Sequence, residues 1–478
     1  MVDVPPEIWL YVSSFISDEE LLPLMAVNIH FYNLALDIRY STIRVEVVNA
    51  TTNKLLYRLR DAAVASRVRR LVIRPQLNLH TAAEPSVPLS FWQKINYVTG
   101  RRQLSPTPSI ERVIDALILV FPGLANLTHF EVESWDMSPE YDLQRFFRSA
   151  WSSFGRQLKA ISMAGRPEAL RQFVASKPQP ESCTSLSLQF THELDATASA
   201  AVVGILVDSV APFINSLTRR LQSLRIWSWS TLDLSALFMH LGVFPQLNHF
   251  HLRAPFNKAF PDATGLTRLL QDNSASLNNV ELRLNPAGLA MDPSSERVLG
   301  EWMASHQAHD AVLANLDILR IYPTTLSSGF DALVMYTQRS ADTLTTLAVK
   351  DRYLDLDEVS ALIAPLSHRP ADEGLQTLRL NVRVWSAELF DLLALKLPGL
   401  KSLSLYIGGS HPHRAATEVF FIAMQSHSYK PWQLYDIGVW QGGSEVPVGT
   451  MHHLAKCIPS VQSFWGNGNM LKDGKVYA

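Results

Sequence analysis

Cysteine is nearly absent from this chain. Two, Cys183 and Cys457, stand among 478 residues, which excludes a disulfide framework and suits a reducing compartment. Charge is also scarce. Asp, Glu, Lys and Arg make up 18 % of the chain, against about a quarter in average usage. With 47 % hydrophobic residues, the sequence is too apolar and too weakly charged for disorder. The formal net charge of −2 gives no global field toward nucleic acid or anionic lipid. Long hydrophobic runs are missing too. The most apolar stretch, 200–214, is broken by Asp208 and Pro212 and is too short to span a bilayer. Asp3 and Glu7 stand where a signal peptide would carry basic residues. These absences predict a cytoplasmic or nuclear protein with no membrane and no nucleic-acid partner. Without an export signal, Asn49-Ala-Thr51 and Asn126-Leu-Thr128 are chance sequons.

Catalytic signatures are lacking as well. The sequence holds no Gly-x-Ser-x-Gly elbow, phosphate loop, dinucleotide fingerprint or His-Glu-x-x-His. His452, His453 and Cys457 have helical spacing that could hold a metal, yet no further carboxylate or cysteine group accompanies them. They read as a partly exposed helix with a core cysteine, and His306 and His309 read the same way. His411-Pro-His413 lies in a Gly/Pro-rich loop, and Gly466-Asn-Gly468 reads as a turn. The expectation is a chain with no enzyme activity, no cofactor and no metal.

Leucine, by contrast, is abundant, and it recurs in one pattern: apolar, two residues, apolar, one residue, apolar. Leu221-Gln-Ser-Leu224-Arg-Ile226, Leu375-Gln-Thr-Leu378-Arg-Leu380 and Leu400-Lys-Ser-Leu403-Ser-Leu405 are clean copies. Looser ones centre on Leu71, Phe130, Ile161, Leu186, Phe250, Val280, Leu319, Leu347, Tyr435 and Phe464, after a start at Ile43. The steps between centres cluster near about 30 residues, a repeat period. The exception runs from Leu71 to Phe130, where five prolines between Pro75 and Pro108 predict a long loop at about 75–108. Each centre alternates like a strand. A helix-period segment precedes many of them: Ile110, Val113, Ile114, Leu117 and Ile118; Leu232, Leu234, Leu237, Phe238 and Leu241; Leu389, Leu392, Leu393 and Leu395. Between helix and strand an apolar-Pro-x-apolar turn recurs at Phe121–Leu124, Phe244–Leu247, Leu397–Leu400 and Ile458–Val461. Proline ends the helix at a fixed offset before the strand.

A strand and a helix every 30 residues or so resemble a leucine-rich repeat solenoid of the long αβ kind, over about residues 43–470. The resemblance implies an α/β horseshoe of about 13 irregular repeats, a domain of 43–478. One feature departs from it. The family often places Asn or Cys three residues after the third apolar position. Here Gln76, Trp135, Thr191, Trp229, Pro255 and Arg383 stand there, and only Asn285 fits, so the turns are expected to be irregular. The leucines themselves are core, since a repeat cannot bury its apolar face alone.

Residues 1–42 differ. Pro5, Pro6 and Glu7 suit the first turn of a helix. Ile8, Val12, Phe15 and Ile16 then share one face. Ser17-Asp-Glu-Glu20 caps a second helix with Leu21, Leu24, Met25 and Val27, and Phe31, Leu34, Ala35 and Ile38 mark a third. This block resembles an F-box: Val4-Pro5-Pro6-Glu7-Ile8, Ser14-Phe15-Ile16, Asp18 to Leu21, Val27-Asn28 and Tyr32 follow its wording. Leu34 to Tyr40 looks like F-box proteins of mushroom-forming fungi. Pro23 departs from the usual second helix. The resemblance implies docking on the Skp-type adaptor, and through it on the cullin, of an SCF (cullin-RING) ubiquitin ligase. Pro5, Glu7, Ile8, Leu21, Leu24 and Val27 match the docking surface, although the same residues would also pack the three helices. The first 42 residues carry a net −5, which leaves +3 for the remainder. Only Ser41 and Thr42 separate the block from the first strand, which predicts a stiff junction.

In such a solenoid the residues alternating with the core positions face outward on the strands. Arg225, Trp227, Arg253, Arg283, Arg320, Tyr322 and Arg379 fall there and form a candidate surface for a protein target, acidic or phosphorylated. A solvated face with incidental charge is the plain alternative. Two functions follow. One is a substrate-recognition subunit; the other is a non-catalytic repeat scaffold whose N-terminal helices only cap the solenoid.

Overall fold

The computed structural model describes residues 5–46, 49–74, 110–134, 142–190, 199–228, 232–256, 260–285, 291–408, 420 and 422–466. The expected long loop at 75–108 and His411-Pro-His413 lie outside these residues. Two compact units divide the chain, Met1–Leu221 and Gln222–Ala478.

The first unit begins with three helices: α1 (Pro6–Ser13), α2 (Asp18–Leu21) and α3 (Ile29–Ser41). Ser17 and Glu20 form a reciprocal capping box on α2, and the Asn28 side chain caps α3. These caps satisfy amides that a helix start leaves orphaned. Pro23 opens a separate short 3-10 turn, Pro23–Ala26, because it cannot donate into the helix before it. The small core consists of Leu21, Phe31, Ala35 and Tyr40, with Trp9 edge-on to Phe31 at 5.3 Å.

Helix α3 runs directly into strand β1 (Thr42–Val45). Parallel strands β2 (Arg70–Ile73), β3 (His129–Glu133), β4 (Ala160–Gly165) and β5 (Ser185–Phe190) follow in chain order. Ile43, Leu71, Phe130, Ile161 and Leu186 share one register row, and each is buried. Arg67 ties the helical module to the first repeat. Its guanidinium donates to the Asn33 carbonyl at 3.0 Å, the Asn33 side chain at 2.9 Å and the Asp37 carboxylate at 2.5 Å.

The second unit repeats the plan with β6 (Ser223–Ser228), β7 (His249–Arg253), β8 (Asn279–Arg283), β9 (Ile318–Ile321), β10 (Thr346–Leu354), β11 (Thr377–Val382), β12 (Ser402–Ile407) and β13 (Asp436–Gln441). All pair parallel with their sequence neighbours. The short β14 (Ser444–Glu445) and β15 (Ser463–Phe464) both pair with β13. The core row reads Leu224, Phe250, Val280, Leu319, Leu347, Leu378, Leu403, Ile437 and Phe464. Tyr435, expected as a centre, is exposed; the repeat is Leu434-x-x-Ile437-x-Val439, two residues on. The proline turns are uniform. The amides of Leu124, Leu247, Leu400 and Val461 each donate to the carbonyl three residues back, at 3.0, 2.9, 3.1 and 3.1 Å.

The expected apolar faces of the helices are largely buried. Leu232, Leu234, Leu237, Phe238 and Leu241 are all buried. Leu395 departs from the pattern and is 76 % exposed on helix Ala387–Lys396. The apolar stretch 200–214 is broken by a π-turn at Leu206–Val210. Among the described residues no helix is long and apolar enough to cross a membrane. Both sequon asparagines have structural roles: Asn49 caps helix Ala50–Arg58, and Asn126 donates to the Ser66 carbonyl at 2.7 Å.

Candidate functional site

Parallel register decides which polar side chains on the free strand face meet. In the second unit one row is Arg225, His251, Glu281, Arg320, Ala348 and Arg379 on β6 to β11. Two residues further along, Trp227, Arg253 and Arg283 stand side by side on β6, β7 and β8. Arg225 is exposed, whereas Trp227, Arg253, Arg283, Arg320 and Arg379 are half-buried. Of the seven residues expected on this surface, six are therefore on it. Tyr322 is not. Strand β9 ends at Ile321, and Tyr322 is buried. Burial, with Glu296 and Asp351 nearby, pushes its hydroxyl up to about 12.

Aromatic rings hold several of the arginines. The Arg225 and Arg253 guanidiniums both lie against the Trp227 ring, at 5.4 and 5.5 Å. Arg379 sits 4.2 Å from the Tyr406 ring centre, and the other face of that ring stacks on Trp440 at 4.6 Å and 6°. A cation over a ring face keeps its N–H fork free at the edge. Among the described residues, Arg225, Arg283, Arg320 and Arg379 make no ion pair, and the Nε atoms of Arg283 and Arg379 are buried without a hydrogen-bond partner.

The carboxylate of this row is already engaged. Glu281 accepts from the Lys350 ammonium at 2.9 Å, with His251 Nε2 at 3.6 Å. Burial alone would raise the Glu281 carboxyl, but Lys350, His251 and Arg320 outweigh it and hold it below the usual carboxylate range. Burial lowers His251 to about 4, and Arg225 and Lys350 add to the effect. Burial and Arg225 likewise lower His249. The site at neutral pH thus carries neutral imidazoles and an excess of arginine. Lys350 reaches Glu281 across β9 because β10 bulges. Pairing with β11 slips between Ala348 and Tyr353, and Asp351 has φ 62°, a rare backbone for a non-glycine residue. Below the bulge, buried Arg352 donates to the Thr324 and Leu326 carbonyls and pairs with Glu358.

The strand face of the first unit is different. Glu131 on β3 takes Arg70 at 2.9 Å and Arg74 at 2.5 Å, and Arg74 also meets Glu133 at 2.9 Å. Its charges cancel internally.

The N-terminal candidates fall into two groups. Pro5, Glu7, Ile8 and Val27 are exposed and Leu24 is half-buried, whereas Leu21 is buried in the module core. Leu10, Tyr11, Phe15, Leu22 and Ile29 are also exposed, Phe15 at 72 %. The face that spacing gives to Ile8, Val12 and Phe15 is exposed at all three, and the Phe15 ring meets Tyr11 edge-on at 4.9 Å.

His452 and His453 each bond a carbonyl one turn back on their own helix, at 3.0 and 2.7 Å, and Cys457 Sγ donates to the Met424 carbonyl at 3.3 Å. No group of three or more His, Cys, Asp or Glu residues placed to hold a metal occurs among the described residues. Buried His306 bonds the Tyr336 hydroxyl at 2.7 Å.

No family model and no curated protein matches this sequence. Among solved structures, the crystal structure of the Rad7 and Elc1 complex in yeast is similar with a TM-score of 0.38 and 11 % identity, over 87 % of this chain and 97 % of that chain.

Proposed function

We propose that the chain is the substrate-recognition subunit of an SCF (cullin-RING) ubiquitin ligase. The F-box-like helices dock on the Skp-type adaptor, and the arginine-rich strand face binds an anionic segment of a protein target. The chain itself is non-catalytic. The observation that carries the adaptor half is the apolar surface of the first 32 residues. Ile8, Leu10, Tyr11, Phe15, Leu22, Val27 and Ile29 are 40–72 % exposed. A cap that only covered a leucine-rich repeat solenoid would carry a polar outer face, and this much exposed apolar surface on a small module marks an interaction site. Support for the target half comes from Arg225, Arg283, Arg320 and Arg379, which make no ion pair among the described residues.

The scaffold reading retains one observation in its favour, since Arg67 joins α3 to the first repeat. The same bond suits a receptor that must present its target at a fixed distance. The test is co-elution of the full chain with purified Skp-type adaptor. The wild-type chain is expected to form a complex, and Ile8→Asp with Val27→Asp to abolish it while leaving circular dichroism unchanged. A wild-type chain that elutes apart from the adaptor would remove the reading.

A further inference from the structure

Resting on the reading of the strand face as a target surface, we propose that its ligand is an extended run of Asp and Glu residues crossing β6 to β11, rather than a single phosphoryl group or a nucleic acid strand. The arginines form a track and not a pocket. Those without an ion pair among the described residues, Arg225, Arg283, Arg320 and Arg379, stand on β6, β8, β9 and β11. One compact dianion would need several forks converging on a point; these are spread over five strand steps, about 24 Å at roughly 4.8 Å per step. An extended chain covers that length with about seven residues. Glu281, the carboxylate of the Arg225, Arg320 and Arg379 row, is occupied by Lys350, and the four arginines make no ion pair among the described residues.

Nucleic acid is disfavoured by the rings. Single strands bind basic grooves by stacking bases on free aromatic faces. Here the Arg225 and Arg253 guanidiniums lie over the Trp227 ring, which also meets His251 edge-on at 5.3 Å, and Tyr406 lies between Arg379 and Trp440. With those faces taken, the surface presents edges and N–H forks, which suit carboxylates.

The experiment is fluorescence anisotropy of the full chain with labelled oligo-glutamates of four and eight residues, a phosphoserine-containing Gly/Ser octapeptide and oligo-dT. Octaglutamate is expected to bind at least about tenfold more tightly than tetraglutamate, and to weaken by about tenfold between low and physiological salt. Arg225→Glu with Arg320→Glu should abolish binding. Arg320→Gln, which keeps a polar side chain in place, should weaken it by severalfold should the double variant fail to fold. Tighter binding of the single phosphopeptide than of octaglutamate would overturn the track while leaving an anion-binding face. Tightest binding by oligo-dT would overturn the choice of a protein ligand. No binding of any anion would remove the target-face reading too, and adaptor co-elution would then report separately on the N-terminal module.

Discussion

His251 offers a quantitative check on the electrostatics of the strand face. Its imidazole lies among Arg225, His249, Glu281 and Lys350, and burial lowers it from the usual 6.5 to about 4. Between these values the unfolded chain binds a proton that the folded chain refuses. Stability from this group is therefore complete above about 6.5 and falls as pH drops toward 4. Between about pH 7.5 and pH 5 the two-state linkage expression gives a loss of about 2 kcal/mol. His306, also lowered to about 4 by burial, adds a similar loss over the same window. Glu281 is held low and loses its contribution only below the ordinary carboxylate range, so pH 5 isolates the histidines. His251→Gln removes the titration. Urea unfolding of the full chain at both pH values should show the wild type losing about 4 kcal/mol from the two histidines and the variant about 2. A variant whose acid loss equals that of the wild type would refute the placement of His251 as a buried neutral group beside arginine.

Two further substitutions test the repeat. Leu378 is fully buried in the core row, and Leu378→Ala should cost about 2–5 kcal/mol in chemical denaturation; an unchanged midpoint would contradict the register. Gly399 packs so closely on Ala371 that a Cβ would overlap the Ala371 carbonyl. Gly399→Ala should therefore lower the melting temperature by several degrees, whereas a neutral result would refute the helix-to-strand turn.

Much of this fold is legible in the sequence because its strands carry two independent signals. The apolar alternation places Leu224, Leu378 and Leu403, and the proline turn fixes the distance from the preceding helix. Where the signals weaken, the reading slips. At the thirteenth strand Trp432 and Tyr435 offer an apolar frame two residues early, but Tyr435 is exposed, and the buried strand positions are Ile437 and Val439 after Leu434. Tyr322 follows the alternation on paper, but the strand ends one residue before it. Spacing placed Leu21 on an apolar helix face, and it is buried in the module core, although the resemblance matches it to a docking position. The pairings of the site are less visible still. Trp227 with Arg253 follows from adjacent register once the strands are aligned. Lys350 with Glu281 does not, because it depends on a bulge at Lys350-Asp-Arg352 that no turn residue announces.

Hydrogen exchange of the full chain with and without Skp-type adaptor tests the central claim most directly. The account predicts new protection over residues 5–32, centred on Ile8, Phe15 and Val27, with β6 to β11 unchanged and still open to an acidic ligand. Protection confined to the strands, or none anywhere, would contradict it.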